Sequence, residues 1–450
     1  MKRMAKEGRL HRLHRRSWPG FLKRVVPDHT WQQVNRCVNQ STDPRLRWST
    51  KHMLLCWIIM GWSIQGQLTQ RFHEGFELLS CMFYQRRRCG RTYQGLTQAT
   101  RRVGMTVFSE FWYCLRQTIP DRVGTAWTWF GWTVFAVDGS RVDAPRTQRN
   151  EKPLGKAGRD KTHPQWWITR LIHLPSKMMW DWRQGPGNSS ERTHLREMIH
   201  SLPASSLLVA DTGFGGFDLL WQLSNARMMF LIRCGGNTTL LVEDTRQRIE
   251  QRGECRYVYL WPKNRRCDKP LHLRLIVLKR GGKRVYLLTN VLESPRLSRS
   301  MAGELYHARW DIEVEFRGFK QTLARRKVLA KSPEIGAMEL AANMLAFALL
   351  LLYAAMVMGA RVARLSLAQA LRAIRRAMER IRHAKSCSTL GEELEAATRD
   401  DYVRRSSKRA RDWPHKKKER PLGCPILRRL KGREKARIYA VLTYHAAQFS

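Results

Sequence analysis

Acidic residues are scarce in this 450-residue chain: 37 Asp and Glu stand against 82 Lys and Arg, a formal net charge of +45. With a pI near 10.9, the chain implies an extended polyanion as partner, either nucleic acid or an anionic membrane surface. Solubility alone needs no such excess of one sign. The chain also lacks any C-x-x-C pair, its ten cysteines being scattered from Cys37 to Cys424. That excludes a zinc ribbon or disulfide framework and fits reduced thiols in a cytoplasm. The opening residues, MKRMAKEGRLHRLHRR, have no apolar core or small-residue cleavage site and so do not read as a signal peptide. There is no internal repeat and no clear helix-turn-helix signature. What is present excludes a disordered basic tail: 43% of the residues are hydrophobic and 17 are Trp.

Length suggests two or three domains. Residues 1–130 read as a helical, basic region, with apolar runs at 53–62 and 107–117 and a basic cluster RRRCGR at 86–91. Charge alone assigns this region to DNA-end binding. At 131–138 the character changes to the β-branched run TVFAVD, followed by Gly139 and Ser140 as a turn signal. Strands are expected at 166–174 and 177–183, a helix from Ser189 or Ser190 to about 201, a strand at 206–211, a helix at 217–225 and a strand at 228–233. Short links make the first three strands antiparallel, and helical links let the later ones be parallel. The result is an α/β fold with a mixed sheet, whose first part covers 131–233. Residues 234–297 read as a β-strand insertion, with strands at 255–261, 271–278 and 283–290 and a hairpin turn at 280–282.

A helix is expected from Ser298–Met301 towards Lys331, within a segment 298–335, followed by a helical C-terminal region at 336–403. There, Ala341–Ala360 is long and apolar enough to cross a membrane. Asn343 interrupts it and an Arg-rich stretch follows, so a core helix of a cytosolic protein is the reading adopted, with no membrane partner. An amphipathic helix near 361–383 has Leu367, Leu371, Ile374, Met378 and Ile381 as its buried stripe. The basic tail, 404–450, carries 15 Lys and Arg against three acids between Arg404 and Arg437, and reads as extended when free.

The stretch 306–320, YHARWDIEVEFRGFK, organises the rest. Tyr306, Arg309, Glu313 and Lys320 are spaced +3, +4 and +7, which at about 100° per residue puts them within roughly 60° on one helix face, with Arg317 beside them. Leu305, Ile312, Phe316, Phe319 and Leu323 form an adjoining apolar stripe. Glu315 is two residues from Glu313, about 200° away on a helix, so only one of the two can face a common site; the stripe selects Glu313. Asp138 and Asp211 end two strand patterns separated by 211 − 138 = 73 residues. With Glu313 they make a cluster of hard oxygen donors suited to Mg²⁺ or Mn²⁺. Two such ions about 4 Å apart could activate a water or 3′-hydroxyl and stabilise the leaving oxygen of a phosphodiester. Asp143, beyond the expected turn, reads as a loop residue.

The spacing Y-(2)-R-(3)-E-(6)-K, with DGS at Asp138 and ADTGF around Asp211, resembles a large group of bacterial insertion-sequence transposases with a DDE active site on a ribonuclease-H-like fold. The resemblance covers about 131–331. It implies Asp138, Asp211 and Glu313 as a metal-binding catalytic triad. Tyr306, Arg309 and Lys320 would hold the transposon-end DNA, with Trp310 near the cleaved end. It further implies metal-dependent cleavage at terminal inverted repeats and strand transfer by a homodimer in the synaptic complex, near the nucleoid of a bacterial cytoplasm. A nuclease without strand transfer, or a decayed DNA-binding relative, would carry many of the same residues.

Overall fold

A computed structural model describes residues 22, 25–37, 46–83, 89–155, 163–243, 254–265, 268–280, 283–383, 389–399 and 422–446. The chain folds as two compact units, one of residues 1–127, 139–189 and 313–399, the other of 128–138, 190–312 and 400–450. The architecture is a mixed α/β core with largely helical N- and C-terminal regions, as expected from the pattern.

The first unit begins with helices α1 (Asp28–Arg36), α2 (Thr50–Trp62), α3 (Leu68–Met82), α4 (Tyr93–Val103), α5 (Thr106–Arg116) and α6 (Ile119–Val123). Local chemistry sets their starts: the Ser49 hydroxyl accepts from the His52 N–H and the Thr92 hydroxyl from Gly95, satisfying donors that the first helical turn leaves free. Strand β1 (Thr133–Asp143) starts in the second unit and ends in the first. The first unit also holds α7 (Gln148–Leu154) and the antiparallel pair β2 (Gln165–His173) and β3 (Met178–Pro186).

The second unit continues with α8 (Glu191–Met198), β4 (Ser206–Ala210), α9 (Phe217–Asn225), β5 (Met229–Cys234), β6 (Thr239–Val242), β7 (Glu254–Leu260), β8 (Leu271–Arg280) and β9 (Lys283–Thr289). β1, β4 and β5 are parallel neighbours. All five residues of β4 are buried, the uninterrupted pattern of a parallel strand covered on both faces. The insertion strands extend this sheet, since β9 pairs antiparallel with β5 and β8 with β9. Residues 281–282 of the expected hairpin turn lie outside the described residues.

The long helix expected from 298 to 331 is instead α10 (Arg299–Ala308), α11 (Trp310–Arg317) and a π-helical turn at Gly318–Thr322. Ser298 caps α10 through the Met301 N–H, where the sequence places the start. At the break the Ile312 N–H bonds to the Arg309 carbonyl, three residues back. At the π turn the Leu323 N–H reaches the Gly318 carbonyl, five back. A Cβ on Gly318 would lie 2.4 Å from Leu367 Cδ2, so glycine permits this turn to sit against the next-but-one helix. Ala324 then takes a left-handed φ of 58° and the helix is over. No Pro or Gly marks that stop.

The first unit closes with α12 (Pro333–Met358), α13 (Leu367–Arg382) and α14 (Leu390–Glu395). The most apolar window of α12 is 89% buried within the protein, with its neighbours in α2, α5, α6 and α14. It therefore packs as a core helix. A buried polar lattice lies beside it. Arg325, 1% exposed, donates to the carbonyls of Met60, Gly61 and Ser63 at the end of α2, and to Asn343 Oδ1. Glu339 accepts from the Leu329 and Ala330 N–H groups and from Arg71.

The tail corrects one expectation. Residues 400–421 lie outside the described residues, but β10 (Ile426–Arg429) pairs in parallel with β6, and α15 (Gly432–Ala446) follows. This segment belongs to the second unit and is not an extended tail. Its basic composition conceals a strand whose partner lies far back in the sequence.

Candidate nucleic-acid and carboxylate site

Asp138, Asp211, Tyr306, Arg309 and Trp310 belong to the second unit; Glu313, Arg317 and Lys320 belong to the first. In the second unit the pairing of β1 with β4 runs from Thr133↔Ser206 to Ala136↔Val209. Each pair is offset by 73 residues, the separation of the two aspartates. Two residues past the last pair, the same register brings Asp138 and Asp211 level. β4 and β5 pair up to Ala210↔Ile232, so Arg233 continues the row on the third strand. The Arg233 guanidinium lies 3.9 Å from Asp211 Oδ1. Asp211 Oδ1 also accepts from its neighbour Thr212 N–H at 2.8 Å and from the Tyr306 hydroxyl at 3.4 Å.

Burial, and then the Asp211 charge, raise the Tyr306 pKa above its ordinary value, so the phenol remains a neutral donor. The Arg309 guanidinium lies over the Tyr306 ring, 5.5 Å from its centroid. Trp310, whose sequence allows core packing, is 52% exposed. Arg233, Lys279, Arg299, Tyr306, Arg309 and Trp310 line a cleft of about 910 Å³ in this unit. Cations interleaved with aromatic rings suit a nucleic-acid strand, because phosphates pair with the former and bases stack on the latter.

In the first unit, Glu313 is half-buried on α11. Glu315 is buried, with Arg399 at 4.0 Å from its carboxylate. The two point to different surroundings, as helix phase requires. Lys320, on the π turn, donates to Ser140 Oγ at 2.6 Å. Burial lowers its pKa from the usual lysine value, nearby Asp143 opposing and Arg170, Arg326 and Arg141 reinforcing that effect. Arg317 is exposed. The apolar stripe holds throughout: Leu305, Ile312, Phe316, Phe319 and Leu323 are all buried.

Two expectations change here. Gly139 and Ser140 do not turn; β1 runs through them to Asp143, which is a strand end and no loop residue. Asp143 is pinned there by its N–H to the Arg326 carbonyl, its carbonyl to the Val328 N–H, and its carboxylate to Gln165. Asp138 therefore lies within β1, at the point where pairing with β4 has ended. Two functional residues escaped the sequence. Arg233 ends the strand pattern after Asp211, and a parallel register would have placed it in the row. Ser140 was taken for a turn residue.

Residues 129–351 match the family described as Transposase DDE domain. The chain is a protein of the DDE-transposase family. Among curated relatives, it is 24% identical over 345 residues to the transposase InsG for insertion sequence element IS4 of Escherichia coli (strain K12), covering 70% of this chain and 72% of that one. It is 27% identical over 136 residues to the putative transposase InsZ of the same organism, covering 29% of this chain and 44% of that one. Among solved structures, the piggyBac transposase synaptic complex with hairpin DNA matches over 86% of both chains at 10% identity, with a TM-score of 0.39. The matched DDE domain contains Asp138, Asp211 and Glu313.

The transposase family implies a divalent metal. Among the described residues, no group of three or more His, Cys, Asp or Glu is placed to hold a metal ion. Within the second unit the donors nevertheless fit one. Asp138 is half-buried, and the Asp211 side chain is 39% exposed. Their oxygens are hard donors, and Mg²⁺ is commonly held by only one or two carboxylates, with water and substrate phosphate completing its shell.

Proposed function

We propose that this chain is a cut-and-paste DNA transposase, cleaving at the inverted repeats that end its own element and joining the freed 3′-hydroxyl to target DNA. The observation that carries the proposal is the level placement of Asp138 and Asp211 on adjacent parallel strands inside a transposase DDE domain. In this reading Asp138, Asp211 and Glu313 are the catalytic carboxylates and would hold Mg²⁺ or Mn²⁺, two ions in all. When bound, the metal supplies activation of the attacking oxygen and stabilisation of the leaving one.

The chain's own residues position the DNA. Tyr306 donates to Asp211 and keeps its carboxylate oriented, while Arg309 and Arg233 meet the strand's phosphates. Lys320, held by Ser140, contacts the end strand together with Arg317. Trp310 is free to stack on a base at the cleaved end. In the first step a water attacks the phosphodiester and the 3′-oxygen leaves as the hydroxyl; in the second that hydroxyl attacks a target phosphodiester. The charge of +45 draws in the polyanion. The working assembly is a homodimer with both transposon ends, in a bacterial cytoplasm and close to the nucleoid.

Incubating the purified protein with Mg²⁺, a DNA fragment bearing the repeats that flank its reading frame, and a target plasmid tests this. A 3′-hydroxyl released at the repeat and then joined to the plasmid is the expected product. Cleavage without joining reduces the activity to that of a nuclease, and binding without either product overturns the proposal.

A further inference from the structure

A second cavity in the second unit, about 520 Å³, is bounded by Arg192, Arg233, Lys263 and Arg428, with Phe217 and Trp261 among its walls. The four cations come from α8, β5, the turn after β7, and β10, and none of the lining residues is acidic. Its size is that of a small-ligand pocket. One of its walls is the segment the sequence read as a solvated tail. β10 is fixed there by its pairing with β6 and by the Gly236 N–H bonding to the Leu422 carbonyl at 2.6 Å. Behind it, Tyr439 donates to Glu243 at 2.8 Å and Arg437 lies over the Trp261 ring.

The cations are held in place by neighbours. The Arg192 Nε donates to the Gly213 carbonyl at 2.6 Å, and Arg428 is paired with Glu434 at 2.7 Å. Arg233 joins this cavity to the row of strand ends, because it also approaches Asp211. Four positive groups converging without a carboxylate in the lining select an anion. The flat apolar walls beside them suit a nucleoside more than a bare inorganic ion.

We propose that this cavity binds the phosphoryl group of a nucleotide, and that the C-terminal segment, through Arg428, is part of the nucleotide-binding surface. The proposal rests on the transposase reading in taking that nucleotide from DNA next to the cut; a free nucleotide offers the same chemistry. Lys263→Gln is the primary variant, since Lys263 is exposed; Arg428→Gln is the second, with its melting temperature checked for loss of β10. Affinity for an oligonucleotide of the terminal repeat is measured against salt, alongside titration with deoxyadenosine monophosphate.

Removing one phosphate contact is expected to make the slope of log K against log salt shallower by about 1 and to weaken binding roughly tenfold at low salt. If DNA binding holds but mononucleotide binding is lost, the pocket stands and its source is a free nucleotide. If Lys263→Gln changes neither, the pocket assignment fails. Wild-type protein that binds no repeat DNA refutes the transposase reading instead, and the mononucleotide titration then judges the pocket alone.

Discussion

Asp138 and Asp211 stand level on neighbouring parallel strands, and Arg233 extends the row onto a third, 3.9 Å from the Asp211 carboxylate. Two carboxylates side by side repel each other, so the adjacent guanidinium offsets part of the cost of keeping both ionised. Arg233→Gln should therefore lower DNA affinity and make its salt slope shallower by about 1. Arg233→Lys should restore the slope without restoring full cleavage, because an ammonium lacks the planar fork of the guanidinium. Unchanged affinity and cleavage in Arg233→Gln would remove this residue from the site.

Lys320 predicts a pH response. Its folded pKa is below the ordinary lysine value because burial disfavours the ammonium. The charged form thus costs stability in the fold, and that cost fades as pH rises from the folded to the unfolded value. Phosphate binding runs the other way, since it needs the charge and weakens as pH passes the lowered value. Repeat-DNA affinity, followed from about pH 7 to about pH 10, should fall for the wild type. In Lys320→Arg it should stay flat over that range. Parallel curves for the two would exclude titration of Lys320 as the cause.

Arg325 should matter to stability. Burial depresses its pKa to about 9, yet it serves three carbonyls at the end of α2. Arg325→Met strands those acceptors in the interior, a loss of about 3 kcal/mol or more. Urea unfolding measures it, and a change under about 1 kcal/mol would contradict the role given to this lattice.

The contact of α2 with α12 is similarly exacting. A Cβ on Gly61 would lie 2.5 Å from the Ala346 Cβ, which cannot swing aside. Gly61→Ala should cost about 1–3 kcal/mol, and adding Ala346→Gly should recover much of it. A double variant no more stable than Gly61→Ala would show that the crowding lies elsewhere.

Much of the row of strand ends was legible because its causes are local. TVFAVD and SLLVAD are apolar runs long enough for one strand each, and the 73-residue offset between their aspartates equals the register the strands adopt. The stripe from Leu305 to Leu323 was legible for the same reason: apolar spacing on a helix survives a kink and a π turn. What the sequence hid is held by distant partners. β1 passes straight through Gly139 and Ser140 because Arg326 and Val328 bind Asp143 from more than 180 residues away. β10 exists because β6 offers an edge, and nothing in a run of Lys and Arg announces that.

The most direct test of the central claim is cleavage of a supercoiled plasmid carrying the terminal repeats, in Mg²⁺, by the wild type and by Asp138→Asn, Asp211→Asn, Glu313→Gln and Asp143→Asn. The first three variants should bind the repeats like the wild type and cut at background level, while Asp143→Asn, altered at a strand end that Gln165 and the backbone pin in place, should still cut. Wild-type cleavage by any of the first three would contradict the assignment of the catalytic carboxylates.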